Sequence, residues 1–287
     1  MAVSDDEKVK INFIVVIYAT PPAKTVTLQS LASIDFSKFR ITPSLSIWDN
    51  SNEGFGKDAI PRSCGDINYY HNGRNERLSV VYNKIVSDSR ESQYFIILDD
   101  DSKITDEYMF SLAGYFSSDV PVAIPRIMFE RSLISPGKVE GVRGKQVSKE
   151  HLNVGGVDSI GLVAMMSGTV IHRQVFDAGQ RFDERLSFYG VDTKFFIDYA
   201  KRYPKIFILD SVLSHNSALR ERGQTYTSRI KRLRNLVFSK VYIFDHVSHF
   251  KLKILIYLLF FCLKTIIKEK DVRYLSLLGL LPRILKS

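Results

Sequence analysis

The residues Tyr94-Phe95-Ile96-Ile97-Leu98-Asp99-Asp100-Asp101-Ser102 decide the fold. An apolar, β-prone run stops abruptly at three carboxylates. Continuous runs of this kind read as strands buried on both faces of a parallel sheet. Ligands of such sheets bind beyond the carboxyl ends of the strands. Three adjacent acids in that position repel one another. A divalent cation with a phosphate-bearing ligand relieves the repulsion, and Mg²⁺ or Mn²⁺ suits carboxylate oxygens. In an extended chain Asp99 and Asp101 share a face and Asp100 points away. A solvated acidic turn is the alternative reading of the same residues.

Strand and helix alternate on both sides of this run. Ile11 to Tyr18 reads as the first strand, closed by Pro21-Pro22, and Lys24 to Ile34 as a short helix. Ser44 to Trp48 is a second strand. It ends in Asp49-Asn50-Ser51-Asn52, which is turn chemistry. Ile67 to Tyr70 is a third strand, and Asn75 to Ser87 has helical spacing. A helix from Thr105 and a strand from Val120 to Ile124 complete an α/β layer of the nucleotide-binding type. Ser132 to Asn153 has little periodicity and reads as a long loop. Asp192 to Tyr203 suits a helix and Ile206 to Leu209 a late strand.

Charge divides the chain. The formal charge is +9, yet Arg220 to Ser287 alone carries a net +11, so the body is close to neutral. A basic tail implies an anionic partner. Nucleic acid fits poorly, because Ile254 to Leu263 is an unbroken apolar run of ten between lysines. Ten residues fall short of the ~20 that span a bilayer. The run suits an element lying at an anionic membrane surface, or a helix packed on the body or on a second copy of the chain. Cys64 and Cys262 make no disulfide framework, and the acidic N-terminus lacks the regions of a signal peptide. Both features point to a cytoplasmic protein.

Several motifs in order make the chain resemble family 2 glycosyltransferases of the GT-A fold, of the bacterial kind that assembles cell-surface polysaccharides. The resemblance covers about residues 11 to 217. Asp49 matches the acidic residue that holds the nucleotide base or ribose. Asn72-Gly73-Arg74-Asn75, followed by Tyr82-Asn83, matches the Asn-rich segment and the helix behind the donor. Leu98-Asp99-Asp100-Asp101 matches the DXD motif. The resemblance implies that Asp49, Asn75, Asp99 and Asp100 face the nucleotide sugar and that Asp101 binds the metal-diphosphate, with Mg²⁺ or Mn²⁺ as cofactor. Met166-Ser167-Gly168 matches a Ser-Gly turn, whose glycine would let backbone approach a sugar.

Phe182-Asp183-Glu184 and Phe188-Tyr189-Gly190-Val191-Asp192 match the segment before the catalytic helix. The family's usual Glu-Asp is Val191-Asp192 here. Asp192 is the base implied by the match, and an N-terminal helix cap is the other reading. His215 matches a histidine that completes the metal or diphosphate site. Arg220 and Arg222 either neutralise diphosphate or are solvated. Tyr18-Ala19-Thr20-Pro21-Pro22 departs from the family's first-strand ending.

The implied organisation is a polar N-terminus (1–10) and a catalytic domain (11–225). That domain has a nucleotide-sugar half (11–125) and an acceptor half (126–225), and a basic helical, membrane-associating tail (226–287) follows. The implied reaction moves a sugar from a nucleotide-diphosphate donor, with dTDP-rhamnose ahead of UDP-galactose and UDP-glucose. The acceptor is a lipid-linked glycan, such as an O antigen or capsule unit at the inner face of the bacterial membrane. A nucleotidyltransferase is the competing enzyme class. It would carry a Gly-rich loop after the first strand, and residues 19 to 23 contain no glycine.

Overall fold

The computed structural model describes residues 8–61, 65–147, 152–214 and 225–287. Its main sheet is built on β1 (Val9–Ile17), β2 (Ile41–Asp49), β3 (Asp66–His71) and β4 (Tyr94–Leu98). Their β-branched and aromatic content is what a sheet interior selects. The helices between them are α1 (Val26–Ser33) and α2 (Leu78–Asp88). Then come α3 (Asp106–Phe116), capped by the Thr105 side chain, and β5 (Val122–Phe129). Further on lie β9 (Gly155–Asp158), β11 (Thr169–His172), α4 (Arg173–Asp177), α5 (Val191–Tyr199) and β12 (Lys205–Ser214). The strand order is β3-β2-β1-β4-β11-β5-β12-β9. β1 to β4 are mutually parallel, β11 is reversed, and β5 and β12 resume the original direction. The carboxyl ends of β1, β2, β3, β4, β5 and β12 therefore share one edge.

The sheet separates two apolar cores. Ile14, Phe95 and Ile97 point into one, with Val81, Tyr82 and Phe195. Phe13, Val15, Ile96 and Leu98 point into the other, with Leu28, Leu31, Tyr108 and Leu112. Strand alternation with both faces apolar is why the sequence shows continuous runs here rather than a two-residue rhythm.

Residues 132–147 are not the loop expected of them. Ser132–Ser135 (β6) folds back on β5. Gly137–Glu140 (β7) and Arg143–Gln146 (β8) form a hairpin, which Leu162–Val163 (β10) joins in a separate three-stranded sheet. These strands are short and mostly polar, so their pairing leaves little hydrophobic pattern. Residues 148–151 lie outside the described segments.

The tail is helical, as expected, but it is not an appendage. Helices α6 (Tyr226–Ile243) and α7 (Phe250–Glu269) lead into a 3-10 segment (Val272–Leu280) and α8 (Leu281–Lys286). Ile230, Leu233, Val237, Ile254, Leu258 and Leu277 belong to the same apolar core as Val191 and Phe195. α7 also carries a second apolar face. Leu252, Ile256, Leu259, Phe260, Leu263 and Ile267 are between 45% and 68% exposed. At 100° per residue they cover an arc of about 100°. Exposed Lys253, Lys264 and Lys268 run along one side of it. Among the described residues no helix is long and apolar enough to cross a membrane.

Candidate active site

The acid-tipped strand ends in a turn, not in extended chain: Ser102 N donates to Asp99 O at 3.4 Å. The expectation that Asp99 and Asp101 share a strand face is thus replaced by a tight bend. Two buried hydroxyls hold it. Thr27 Oγ1, on α1, lies 2.5 Å from Asp99 O and 2.8 Å from Ser102 O, and accepts from Ser102 N at 2.8 Å. Thr27 N also donates to Asp100 O at 3.3 Å. From the other side Ser167 Oγ accepts from Asp99 N at 3.2 Å and shares a 2.5 Å hydrogen bond with Ser102 Oγ. Thr27, Ser102 and Ser167 are all at most 1% exposed. Buried hydroxyls need such partners, and satisfying them fixes the turn. The three aspartates themselves remain partly exposed.

Asp192 is brought to the same place. It occupies the first turn of α5, and its Oδ2 accepts from Met166 N at 3.3 Å. Gly190, not Asp192, is the N-cap, with φ 85°, so the capping alternative does not hold. Met166 and Ser167 are adjacent, so Asp99 and Asp192 are tied to one turn. Tyr82 connects them further. Burial, then the charges of Asp99 and Asp192, push its phenol well above its ordinary range, so it lies within electrostatic reach of both.

Packing inside the fold already requires a glycine at 168. Its φ is 74°, and a Cβ there would lie 2.5 Å from Leu213 Cδ1 and 2.8 Å from Pro125 Cγ. Interior packing and a left-handed backbone demand the glycine.

Asp49 ends β2 and is fully buried. Its carboxylate accepts from Ser51 N and Phe55 N, both at 2.9 Å, and from Tyr69 Oη at 2.6 Å. Burial pushes its pKa up, but these hydrogen bonds outweigh burial and hold it below the usual range. Asn50 works in the same way. Its Oδ1 accepts from Trp48 Nε1 at 3.0 Å and Glu76 N at 2.8 Å, and its Nδ2 donates to Glu76 O at 3.0 Å. Ser51 Oγ accepts from Ala19 N at 2.9 Å, tying in the end of β1. Asp49 thus shapes the 51–55 loop from inside. Asn75 is exposed beside this stitching, next to the Arg74–Glu76 ion pair at 2.7 Å.

His215, Arg220 and Arg222 lie outside the described residues. Among the described residues no three His, Cys, Asp or Glu side chains gather into a metal cluster. Mg²⁺ and Mn²⁺ are commonly held by one or two carboxylates together with substrate phosphates. The partly exposed Asp99–Asp101 turn supplies the hard oxygen donors such an ion takes. Sequence reasoning missed Thr27, whose only signal is a polar residue at a buried helical position. A groove of about 360 Å³, lined in part by Val139, Ile160, Ile197 and Phe244, lies apart from these carboxylates.

No protein-family model matches the chain, and no curated protein matches it by sequence. Solved structures match its fold. GalNAc-T7 with UDP, GalNAc and Mn²⁺ aligns with a TM-score of 0.56 and 14% identity, over 81% of this chain and 48% of that one. Residues 1–349 of S. aureus TarS align at 0.53 and 15%, over 85% and 75%. The mannosyltransferase PcManGT from Pyrobaculum calidifontis, with GDP-Man and Mn²⁺, aligns at 0.52 and 13%, over 87% and 71%. The protein has the GT-A glycosyltransferase fold. It spans about half the length of GalNAc-T7.

Proposed function

We propose that the protein is a metal-dependent, inverting glycosyltransferase that uses a nucleotide-diphosphate sugar. One observation carries the reading: the Asp99–Asp101 turn and Asp192 converge on the Met166-Ser167 turn at the carboxyl edge of a GT-A sheet. Asp101 and His215 would hold Mg²⁺ or Mn²⁺, which supplies positive charge to the departing diphosphate. Asp99 and Asp100 face the donor, Arg220 meets its diphosphate, and the loops shaped by Asp49 and flanked by Asn75 receive the nucleoside. Asp192 takes the proton of an acceptor hydroxyl. The hydroxyl oxygen bonds to the anomeric carbon from the face opposite the diphosphate. The carbon–oxygen bond to the diphosphate breaks, and the nucleoside diphosphate leaves with the electron pair.

The donor we favour is dTDP-rhamnose. UDP-hexoses are the second reading, supported by neighbours captured with UDP or UDP-GlcNAc. The acceptor we favour is a lipid-linked glycan, met at the anionic inner face of the membrane. The lysine-flanked apolar face of α7 supports this, since an interfacial helix needs that pairing of apolar surface and cations.

Purified protein with Mn²⁺ or Mg²⁺ and a panel of nucleotide sugars should release nucleoside diphosphate with one donor. Silence with every donor, with and without lipid-linked glycan, rejects the class. The variant Asp192→Asn should keep donor binding and lose about 10²- to 10⁴-fold in transfer. Tight UDP-hexose binding with no dTDP-rhamnose turnover defeats the rhamnose assignment alone.

A further inference from the structure

The corner between α6 and α7 reaches back to the helix that carries Asp192. Asp245 sits at that corner, and its two oxygens take different partners. Oδ2 accepts from Arg185 Nη2 at 2.8 Å, and Oδ1 lies 3.3 Å from Lys194 Nζ. Arg185 belongs to the loop before α5 and Lys194 to α5 itself, so one carboxylate ties down the chain on both sides of Asp192. Arg185 is further fixed by a fork to Asp183, with Nη2 at 2.6 Å and Nε at 2.9 Å, and its guanidinium lies 5.1 Å from the centre of the Tyr242 ring. Lys194 is only 6% exposed, and its other anion is Asp198 at 3.4 Å. An ammonium buried this far needs its counter-charges.

Between the two tied points the chain passes through Gly190. Its left-handed backbone packs against Ile243 and Ser239 of α6. Lys194 is two positions beyond Asp192, about 200° around the helix. The tail therefore grips the side of α5 turned away from Met166, while Asp192 faces Met166.

We propose that Asp245 is a positioning residue for Asp192, so that the helical tail is a working part of the active site. The inference rests on the reading of Asp192 as the base. The ion pairs are half exposed on the Arg185 side, so they add little to global stability. Their effect is on placement, and small misplacements of a reacting group are costly in rate.

The test is the Asp245→Asn variant of the full-length chain. Its kcat for transfer should fall at least tenfold while donor KM and the stoichiometry of donor binding stay unchanged. The acid limb of its pH–rate profile should keep its position at a lower plateau. Asp245→Glu should recover part of the loss. Amide hydrogen exchange should accelerate in residues 191–199. Unchanged kcat together with unchanged exchange overturns the proposal. So does a loss of donor-binding stoichiometry equal to the loss of rate, which marks a merely unfolded fraction. Should Asp245→Asn fail to fold, Arg185→Gln decides, since that side chain is half exposed and its loss removes the other arm. A several-fold drop in kcat at constant donor KM supports the proposal, and wild-type kcat refutes it. An active Asp192→Asn enzyme would sink the choice of base alone, because the exchange measurement reads the tether without it.

Discussion

At the carboxyl edge of the sheet, buried polar groups find one another; in the helical tail, an apolar face stays largely in solvent, with Phe260 met by the Arg143 guanidinium at 5.9 Å. Thr27, Ser102 and Ser167 are almost fully buried and complete one another's hydrogen bonds around the aspartate turn. Asp49 and Asn50 do the same for the loops beside it. α7 buries Ile254, Leu258 and Cys262 and leaves Leu252, Leu259, Phe260 and Ile267 in solvent. The difference separates two kinds of function. A satisfied polar network makes a turn stiff enough to present charge without rearrangement. An apolar stripe of that size marks a surface to be covered by something else.

The comparison breaks most readily where the two regions touch. Gly190→Ala forces a left-handed alanine and drives a methyl into Ile243. The expected loss is about 2–4 kcal/mol in a urea titration, the sum of backbone strain and overpacking. A neutral result would mean that α6 is not seated on α5. Thr27→Val comes next. It removes a hydroxyl and leaves Ser102 N with only its 3.4 Å bond to Asp99 O, at a cost of about 1–3 kcal/mol. Donor affinity should weaken with it; stability loss at unchanged donor affinity would separate the brace from the site.

Smaller still is the effect of polar residues on the outer face of α7. Leu259→Ser, Phe260→Ser and Leu263→Ser should each stay within about 0.5 kcal/mol of the parent. Together they should abolish co-flotation with vesicles containing anionic lipid and leave transfer to a soluble acceptor unchanged. Loss of self-association, seen by light scattering without vesicles, would assign the face to a second copy instead.

The last effects are those of pH: in both regions stability rises with pH, but in separate windows. Lys240 Nζ donates to Val142 O at 2.7 Å and sits 4.3 Å from the Tyr257 ring centre. Burial, aided by the charge of Arg143, lowers its pKa to about 8 from an ordinary 10.5. Between those values the unfolded chain binds more protons, so the contribution to stability rises with pH across that window. Asp49 has a folded pKa below its ordinary value. Its contribution is present above the ordinary carboxylate range and is lost as pH falls through the folded value. Lys240→Met should flatten the alkaline limb of the urea midpoint against pH and leave the acid limb in place.

The parts of the fold legible in the sequence are those where physics leaves a repeating mark. β1 and β4 are buried on both faces, and continuous apolar residues announce that. The aspartates could be placed because a strand end precedes them. β7 and β8 were not legible, since four polar residues pairing as a hairpin look like any loop. Asp49 could be singled out, but its partners Phe55 and Tyr69 could not, because a hydrogen bond to a backbone N–H or a distant phenol leaves no local pattern. The Thr27 brace joins positions 72 residues apart in sequence. In the tail, apolar residues on two opposite faces of α7 merge into one run, which concealed that Ile254, Leu258 and Cys262 are core.

The contact between Gly190 and Ile243 also says where this chain can be divided. A graft that exchanges tails between related proteins at residue 225 would bring a foreign α6 against a surface with no room for a side chain. A junction after Asp245 keeps α6 with the body it fits, and a grafted α7 need only keep the buried face of Ile254, Leu258 and Cys262. Inheritance faces the same constraint as the engineer. Residues 226–245 must change in step with α5, while the outward residues of α7 can vary with whatever surface they meet.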